Sequence, residues 1–236
     1  MSEFRVEFIE RIERTKSVSS FRFKPQGLID FIPGQFVQIF FDEKDRANKQ
    51  LNKYLSFSCR PGKAYLEVTK RLSASAFSSR LLALKKGDSI LFKGPMGHCV
   101  LDQSSQKAAF LIGGIGITPV ISILEHVADK KIKVDARLLY SNMTDEDMAF
   151  KEHLDAWAKD NENIKVVYTV VNRVANNCPC FVGMITKDFV ISQVPDYQDR
   201  AFYLFGPPAM VNAMKAICQE IGCAMSKVKA ENFLGY

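Results

Sequence analysis

Apolar and polar residues alternate in short runs along the first hundred positions. The clearest run covers residues 3–8, where every second position is apolar. This period predicts strands with one buried face, and turn residues such as Pro33-Gly34 separate them, which is typical of an antiparallel barrel. One helical pattern, from Ser75 to Lys86 and ended by Gly87, interrupts the strands. Further strands are predicted over residues 21–23, 35–41, 54–59, 65–70 and 89–93.

The pattern changes its period after a short polar linker, Asp102 to Lys107. Four apolar runs then alternate with helical patterns, which predicts a parallel sheet with helices on both faces. The runs cover residues 108–112, 134–140, 165–171 and 201–205, and helices begin at Thr118, after the capping-box-like Thr144-Asp-Glu-Asp147, and after Gly206-Pro-Pro208. We therefore predict two domains: an antiparallel β-barrel with one helix over residues 1–102, and an α/β nucleotide-binding domain with a parallel sheet over residues 103–236.

A glycine-rich stretch, Gly113-Gly-Ile-Gly-Ile-Thr-Pro119, follows the first apolar run of the second half. Glycines let a backbone approach a phosphate, and a helix capped by Thr118 with Pro119 at its first position would offer free N–H groups. The next strand ends in Ser141-Asn142, without the acidic residue of an ordinary dinucleotide fold. The stretch alone therefore leaves two interpretations open, a nucleotide site or a tight turn without a ligand. Gly206-Pro-Pro-Ala-Met210 repeats this arrangement of a strand, a glycine turn and a helix that begins with proline. Two such turns at the carboxyl ends of parallel strands would form one crevice.

Composition narrows the class of protein. The chain has 236 residues, of which 47% are hydrophobic and 25% charged, and no apolar run is long enough for a membrane span. The six cysteines form no Cys-x-x-Cys pair, which predicts a cytoplasmic protein without a metal site. The net charge of +6 favours anionic partners, such as nucleotides or an acidic protein. The positive residues are spread out and not interleaved with aromatic residues, which disfavours a nucleic-acid groove.

Several stretches, in order along nearly the whole chain, resemble motifs of the ferredoxin–NADP reductase family of flavoproteins. The two glycine turns at their separation are the most specific, because they match the family's nicotinamide-nucleotide loop and its C-G-P-P-x-M turn. The other matches are Lys53-Tyr-Leu-Ser56-Phe-Ser58 for R-x-Y-S-x-[SA], Lys70 to Leu81 loosely for K-x-x-x-x-G-x-x-S-x-x-L, Gly94-Pro-Met-Gly97 for G-P-x-G, and Glu231-Asn-Phe233 for E-x-[YF].

The resemblance implies that the first domain binds FAD and the second binds NADH or NADPH. It implies that Ser56 donates a hydrogen bond near flavin N5, that Glu231 lies near the reacting centre, and that Phe233 covers the flavin until nicotinamide displaces it. Lys53 and Ser78 would hold the FAD diphosphate, Ser78 through backbone N–H groups. The full set of implied cofactor contacts is Lys53, Tyr54, Leu55, Ser56, Val68, Lys70, Ser75, Ala76, Phe77, Ser78, Gly113, Gly114, Gly116, Thr118, Pro119, Asn142, Arg173, Gly206, Pro207 and Met210.

Three departures from the family pattern imply a looser cofactor and slower hydride transfer. Lys53 replaces an arginine, Leu55 replaces the tyrosine that stacks on the flavin, and Phe205 replaces a cysteine beside the nicotinamide. The choice of nucleotide depends on charge. The acidic segment over 140–147 favours NADH, whereas Arg173 lies where NADPH-using relatives place an arginine; we favour NADH.

The favoured function is an FAD-dependent NAD(P)H oxidoreductase that passes electrons to a separate protein, such as a ferredoxin, an oxygenase component or a cytochrome. The acceptor must be separate because the chain has no cysteine set for an iron–sulfur cluster. Two alternatives stay open. One is a reductase of free flavin, which the segment from Ser75 to Leu81 argues against. The other is an electron-transfer subunit of a larger complex, which Leu55 favours.

Overall fold

The computed structural model describes residues 2–102, 105–172 and 179–233. The chain divides into two compact units, Met1–Val100 with Thr118–His126, and Leu101–Ile117 with Val127–Tyr236. The domain boundary after residue 102 stays a prediction, since one helical segment of the second half groups with the first unit. In the described ranges, no helix has the length and apolar character needed to cross a membrane.

An antiparallel sheet of six strands forms the first unit, as the alternation predicted. The strands run in the order β4-β3-β6-β1-β2-β5, and an isolated bridge between Phe57 and Val68 joins the two ends of this order. Phenylalanine rings fill the interior, among them Phe21, Phe23 and Phe92, none of which is exposed. The strands are β1 (Ser2–Thr15), β2 (Val18–Pro25), β3 (Phe36–Phe40), β4 (Asn52–Ser56), β5 (Leu66–Arg71) and β6 (Ser89–Met96).

The helix of the first unit, α1 (Ala76–Leu82), is shorter than the predicted span of 75–86. Ser75 caps it, because its hydroxyl accepts a hydrogen bond from the N–H of Ser78. The predicted last turn belongs to a reverse turn instead. There the N–H of Gly87 donates to the carbonyl of Phe8 at 2.9 Å, which joins this segment to β1.

Six parallel strands form the sheet of the second unit, in the order β10-β9-β8-β7-β11-β12. The parallel sheet was predicted, but its two edge strands, β10 and β12, were not. Strand β10 has only two residues, and β12 is largely polar. The strands are β7 (Lys107–Gly113), β8 (Asp135–Asn142), β9 (Ile164–Val170), β10 (Phe181–Val182), β11 (Ala201–Gly206) and β12 (Val228–Asn232).

Helices cover both faces of this sheet, as predicted. Helices α4 and α5 share one apolar core with the sheet, and α3 lies on the other face, where Tyr168 donates to Asp155 at 2.6 Å. Helix α4 is not among the helices predicted from the sequence. The helices are α2 (Ile117–Lys130), α3 (Lys151–Asp160), α4 (Lys187–Gln193) and α5 (Pro208–Glu220).

Two predicted helix starts are wrong. Helix α2 follows a 3₁₀ turn over Gly114–Gly116, so Thr118 is its second residue and makes no cap, and Pro119 is its third. Helix α3 begins seven positions beyond Thr144, because a 3₁₀ turn and a buried tripeptide intervene. Phe150 precedes α3 with a φ of 64°, a left-handed conformation that the capping-box pattern does not predict.

A buried arginine anchors the amino ends of the parallel strands. The Arg200 side chain is fully buried, with Nη2 2.6 Å from Asp135 Oδ2 and Nε 2.6 Å from Asp196 Oδ1. Its Nη1 donates to the carbonyls of Asp135 and Ala108. These bonds tie β7 and β8 to the segment before β11 at one edge of the sheet, opposite the glycine turns.

Candidate functional site

The first unit contains a buried lysine, Lys70, without an ion-pair or hydrogen-bond partner among the described residues. Lys70 is 7% exposed, and its ammonium group makes no hydrogen bond or ion pair with any described residue. Burial lowers the pKa of Lys70, and the positive charge of Lys53 lowers it further. An uncompensated buried charge is costly, so this pair of cations fits an anionic group such as a diphosphate. The structure therefore brings together two of the residues that the resemblance implied for FAD.

The start of α1 is already hydrogen-bonded within itself. Ser78 is fully buried; its N–H donates to Ser75 Oγ at 3.3 Å, and its Oγ accepts from the N–H of Ser73 at 3.2 Å. The implied diphosphate contact through the N–H of Ser78 therefore competes with the helix cap. Phe77 packs in the core at 5.1 Å from the ring of Phe41, which leaves only backbone atoms for a ligand at this position, whereas Ala76 is exposed.

The motif residues of β4 point to opposite sides of the sheet. Leu55 is in register with Val37 and packs against the barrel core, on the same side as Lys53. Tyr54 points the other way, is 59% exposed, and meets the ring of Phe36 edge-on at 5.8 Å. The structure thus separates Tyr54 from the cations.

Two other flavin-site predictions fall on buried positions. Ser56 is buried, and its hydroxyl makes no hydrogen bond within the described part of the chain, so it can donate one to a ligand. Val68 lies in the barrel core with no exposed surface. Only Ser56 of these two has a polar atom to offer.

The two glycine turns of the second unit pack directly against each other. A Cβ on Gly116 would lie 2.4 Å from the carbonyl oxygen of Phe205, and one on Gly113 would lie 2.2 Å from Met210 Sδ. Gly114 has a φ of 51°, the left-handed region that favours glycine. The turns after β7 and β11 therefore form one continuous surface, and close packing explains Gly113 and Gly116 without a ligand.

Unpaired polar atoms lie at the carboxyl edge of the same sheet. Both side-chain polar atoms of Asn142, at the end of β8, are buried without a hydrogen-bond partner among the described residues. The hydroxyl of Thr169, near the end of β9, is likewise unpaired. The two side chains point to opposite faces of the sheet, since Asn142 is in register with Val170 and Thr169 with Ser141. Ligands of open parallel sheets bind at this edge, so unpaired atoms on either face fit a polar ligand such as a nucleotide. Thr169 was not predicted, although a polar residue inside an apolar run was a usable signal. Arg173 lies outside the described residues.

The C-terminal strand, β12, contains a carboxyl group, that of Glu231, without a hydrogen-bond partner among the described residues. The carboxyl of Glu231, in β12, makes no hydrogen bond with any residue that the structure describes, and burial raises its pKa to about 7. The N–H of Phe233 donates to the carbonyl of Gly206 at 3.0 Å, and its ring lies 6.4 Å from that of Phe205. The structure therefore brings Glu231 and Phe233 to the end of β11, beside the glycine turns.

Comparisons with known proteins agree with this geometry. The model of the oxidoreductase NAD-binding domain matches residues 110–216. A flavohemoprotein of Oceanobacillus iheyensis is 27% identical over 235 residues, which cover 95% of this chain and 57% of that protein. The NADH-cytochrome b5 reductase 1 of Aspergillus oryzae is 25% identical, over 90% of this chain and 77% of the relative. The cytochrome b5 reductase domain of Ulva prolifera nitrate reductase has the same fold, with a TM-score of 0.86 and 21% identity over 98% of this chain and 97% of that one.

The chain shares its fold with a ferredoxin NADP+ reductase from Neisseria gonorrhoeae, with a TM-score of 0.82 and 19% identity over 98% of this chain and 99% of that one. Its antiparallel barrel and parallel α/β unit are the two units of that fold. That reductase was solved with bound FAD and NADP. In this chain, Lys70 of the first unit and Asn142 of the second have side-chain polar groups without a partner among the described residues. The chain spans less than two thirds of the flavohemoprotein.

Proposed function

We propose that this chain is an FAD-dependent oxidoreductase that takes hydride from NAD(P)H, with NADH favoured, and passes the electrons to a separate acceptor protein. The observation that carries the proposal is Lys70, a buried cation beside Lys53 that has no counter-charge. The diphosphate of FAD supplies that charge, and the sequence around both lysines resembles the flavin motifs of the family. The two lysines hold the cofactor, and its flavin ring supplies the chemistry of hydride acceptance and one-electron release.

The nucleotide would bind along the carboxyl edge of the parallel sheet. Asn142 and Thr169 have buried side-chain atoms without a partner among the described residues, and a bound nucleotide would supply partners. The acidic Asp145, Glu146 and Asp147 follow β8 and repel the extra phosphate of NADPH, which supports NADH. The role of Arg173 stays a prediction.

Ser56 and Glu231 would serve the reacting centre. The free hydroxyl of Ser56 orients the flavin by donating a hydrogen bond. Glu231, with a pKa raised to about 7, holds a proton on part of the molecules at neutral pH, which suits a group that exchanges protons with a ligand. Phe233 would cover the flavin until nicotinamide displaces it.

The charge distribution supports an acidic acceptor. Residues 51–100 contain nine Lys and Arg and only two acidic residues, whereas residues 101–236 are slightly acidic. A basic barrel attracts an acidic electron carrier by long-range electrostatics. A cytoplasmic location stays a prediction of the sequence.

The test is a visible absorption spectrum of the purified protein, followed by anaerobic titration with NADH and NADPH. We expect flavin bands that NADH bleaches at lower concentration than NADPH. A protein that shows no flavin bands and oxidises neither nucleotide, with or without added FAD, would overturn the proposal. Lys70→Met should lose FAD on gel filtration, whereas Lys86→Met, a matched exposed lysine of the same unit, should retain it.

One observation favours the second candidate, a reductase of free flavin. The N–H of Ser78 is occupied by the helix cap, which removes one implied contact to the diphosphate. A colourless protein that oxidises NADH only after flavin is added would establish this alternative. A yellow protein that fails to oxidise NADH with a dye as acceptor would instead indicate an electron-transfer subunit.

A further inference from the structure

One aromatic side chain lies between the glycine turns and the C-terminal strand. Phe205, at the end of β11, has no exposed surface, and its carbonyl oxygen lies against Gly116. Its ring meets that of Phe233 at 6.4 Å with an interplanar angle of 62°, within the range of favourable edge-to-face pairs. Strand β12 is parallel to β11, with Glu231 directly in register with Phe205.

We propose that Phe205 is a positioning residue for the C-terminal strand, because its ring fixes the ring of Phe233 and keeps water away from the carboxyl group of Glu231. The proposal deepens the proposed function, since Glu231 and Phe233 serve the reaction only if that function is correct. The contacts themselves belong to the second unit and need no cofactor.

The structure shows a polar and an aromatic contact at Phe233. Its N–H donates to the carbonyl of Gly206 at 3.0 Å, and its ring meets that of Phe205 at 6.4 Å. The aromatic contact lies two residues past Glu231, so the ring of Phe205 contacts the segment that follows this carboxyl group.

Burial, rather than a neighbouring charge, raises the pKa of the Glu231 carboxyl group. On its own strand, Lys229 is directed to the ring of Tyr203 at 5.6 Å. On β11, the hydroxyl of Tyr203 accepts a hydrogen bond from the N–H of Asp102. Helix α5 packs on the other face of the sheet, in the core cluster that contains Cys218. The group of β11 in register with the carboxyl is therefore the apolar ring of Phe205, which disfavours the charged form.

Two variants separate the two roles of the ring. Phe205→Leu keeps an apolar group against Glu231 but removes the aromatic contact, so we expect hydrogen exchange at the Phe233 N–H to become about three- to tenfold faster. The pKa of Glu231 should stay near its raised value. Phe205→Ala removes the apolar cover as well, and the pKa of Glu231 should fall by about one unit or more.

The readouts are amide hydrogen exchange and an infrared titration of the protonated carboxyl band, assigned by its loss in Glu231→Gln. Phe202→Leu is the matched control, because Phe202 is fully buried on the same strand and packs on the opposite face. Far-UV circular dichroism establishes that each variant is folded. If Phe205→Ala does not fold, Phe205→Leu and Phe233→Leu still test the aromatic contact.

The proposal is overturned if Phe205→Leu and Phe202→Leu accelerate exchange at Phe233 equally, or if a folded Phe205→Ala leaves the carboxyl titration unchanged. Neither measurement requires FAD or NADH. A protein that failed to oxidise NADH would therefore refute the proposed function and leave this test intact.

Discussion

The candidate flavin region of the barrel and the candidate nucleotide region of the parallel sheet are prepared for their ligands in different ways. In the barrel, Lys70 is buried beside Lys53 without a counter-charge, so the fold bears an electrostatic cost that a bound anion relieves. In the sheet, Gly113 and Gly116 lie at contacts where the backbone and side chains leave no room for a Cβ atom. The barrel region is completed by a ligand, whereas the glycine turns of the sheet are already closely packed, and only nearby polar side chains such as Asn142 and Thr169 lack partners among the described residues.

This difference predicts opposite responses to substitution. Removing the unpaired charge of the barrel should weaken ligand binding and stabilise the free protein. Adding atoms at the glycine turns should destabilise the fold before any ligand is considered. Stability and affinity, measured on the same variants, therefore distinguish a region organised by charge from a region organised by packing.

The largest effect is expected for Gly116→Val. Its Cβ would lie 2.4 Å from the carbonyl oxygen of Phe205, a backbone atom that cannot move alone, so we expect a loss of about 4 kcal/mol or more. Urea denaturation measures it. Gly27→Val is the control: a Cβ there meets nothing within 4 Å, so its loss comes from the strain of a positive φ, which Gly116 with a φ of −57° does not have. A loss at Gly116 no larger than that at Gly27 would show that packing at Gly116 is unimportant.

The paired arginine at the opposite edge of the sheet provides the next comparison. Arg200→Met should cost about 3 kcal/mol, because it removes the buried cation that Asp135 and Asp196 both contact at 2.6 Å and leaves them only their longer ion pairs with Arg137 and Lys107. The figure is below the full value for a buried pair because both carboxylates are about one-third exposed. Lys187→Met, which removes an exposed pair with Glu220, should cost little in the same thermal melt. A loss no larger than that of the control would contradict a structural role for Arg200.

The unpaired lysine should respond in the opposite direction. Lys70→Met should raise the melting temperature of the FAD-free protein and lower its affinity for FAD about 10- to 100-fold, the loss expected for a charge-assisted contact. Fluorescence titration of the free protein with FAD gives the affinity, and Lys86→Met should change neither quantity. A variant that was less stable without FAD would show that Lys70 contributes packing or an interaction that offsets its burial.

The sequence reveals those features whose residues are close along the chain. The alternation in the barrel, the spacing from Lys53 to Ser56 and both glycine turns could be predicted, because each depends on local conformation or fixed spacing. The contact between the turns could not, since Gly116 and Phe205 are far apart in sequence. The start of α3 was missed because a buried phenylalanine, Phe150, adopts a positive φ that propensity does not anticipate.

The C-terminal strand was missed for a different reason. Residues 228–232 are largely polar, so no apolar pattern predicts a strand there. They form a strand in the folded unit, where most of them are half-buried. The implied role of Glu231 came from a short motif, but its raised pKa depends on burial beside β11, which a motif does not encode. Similarly, the lysine that fits the diphosphate was matched by spacing, whereas its lack of a partner is a property of the folded barrel.

The smallest expected effect tests whether Glu231 of the second unit, like Lys70 of the first, destabilises the folded protein when its side chain is charged. Burial raises the pKa of Glu231 from 4.5 to about 7, so between these values the folded carboxyl keeps a proton that the unfolded chain loses. The free energy of unfolding therefore falls as the pH rises through this window. Glu231→Gln removes the penalty; we expect it to match the natural protein near pH 4.5 and to be about 1–2 kcal/mol more stable at pH 8. Urea denaturation across this range measures the difference, with the exposed Glu162→Gln as control. A constant difference at all pH values would mean that Glu231 acts through packing, and that only Lys70 carries an unrelieved charge.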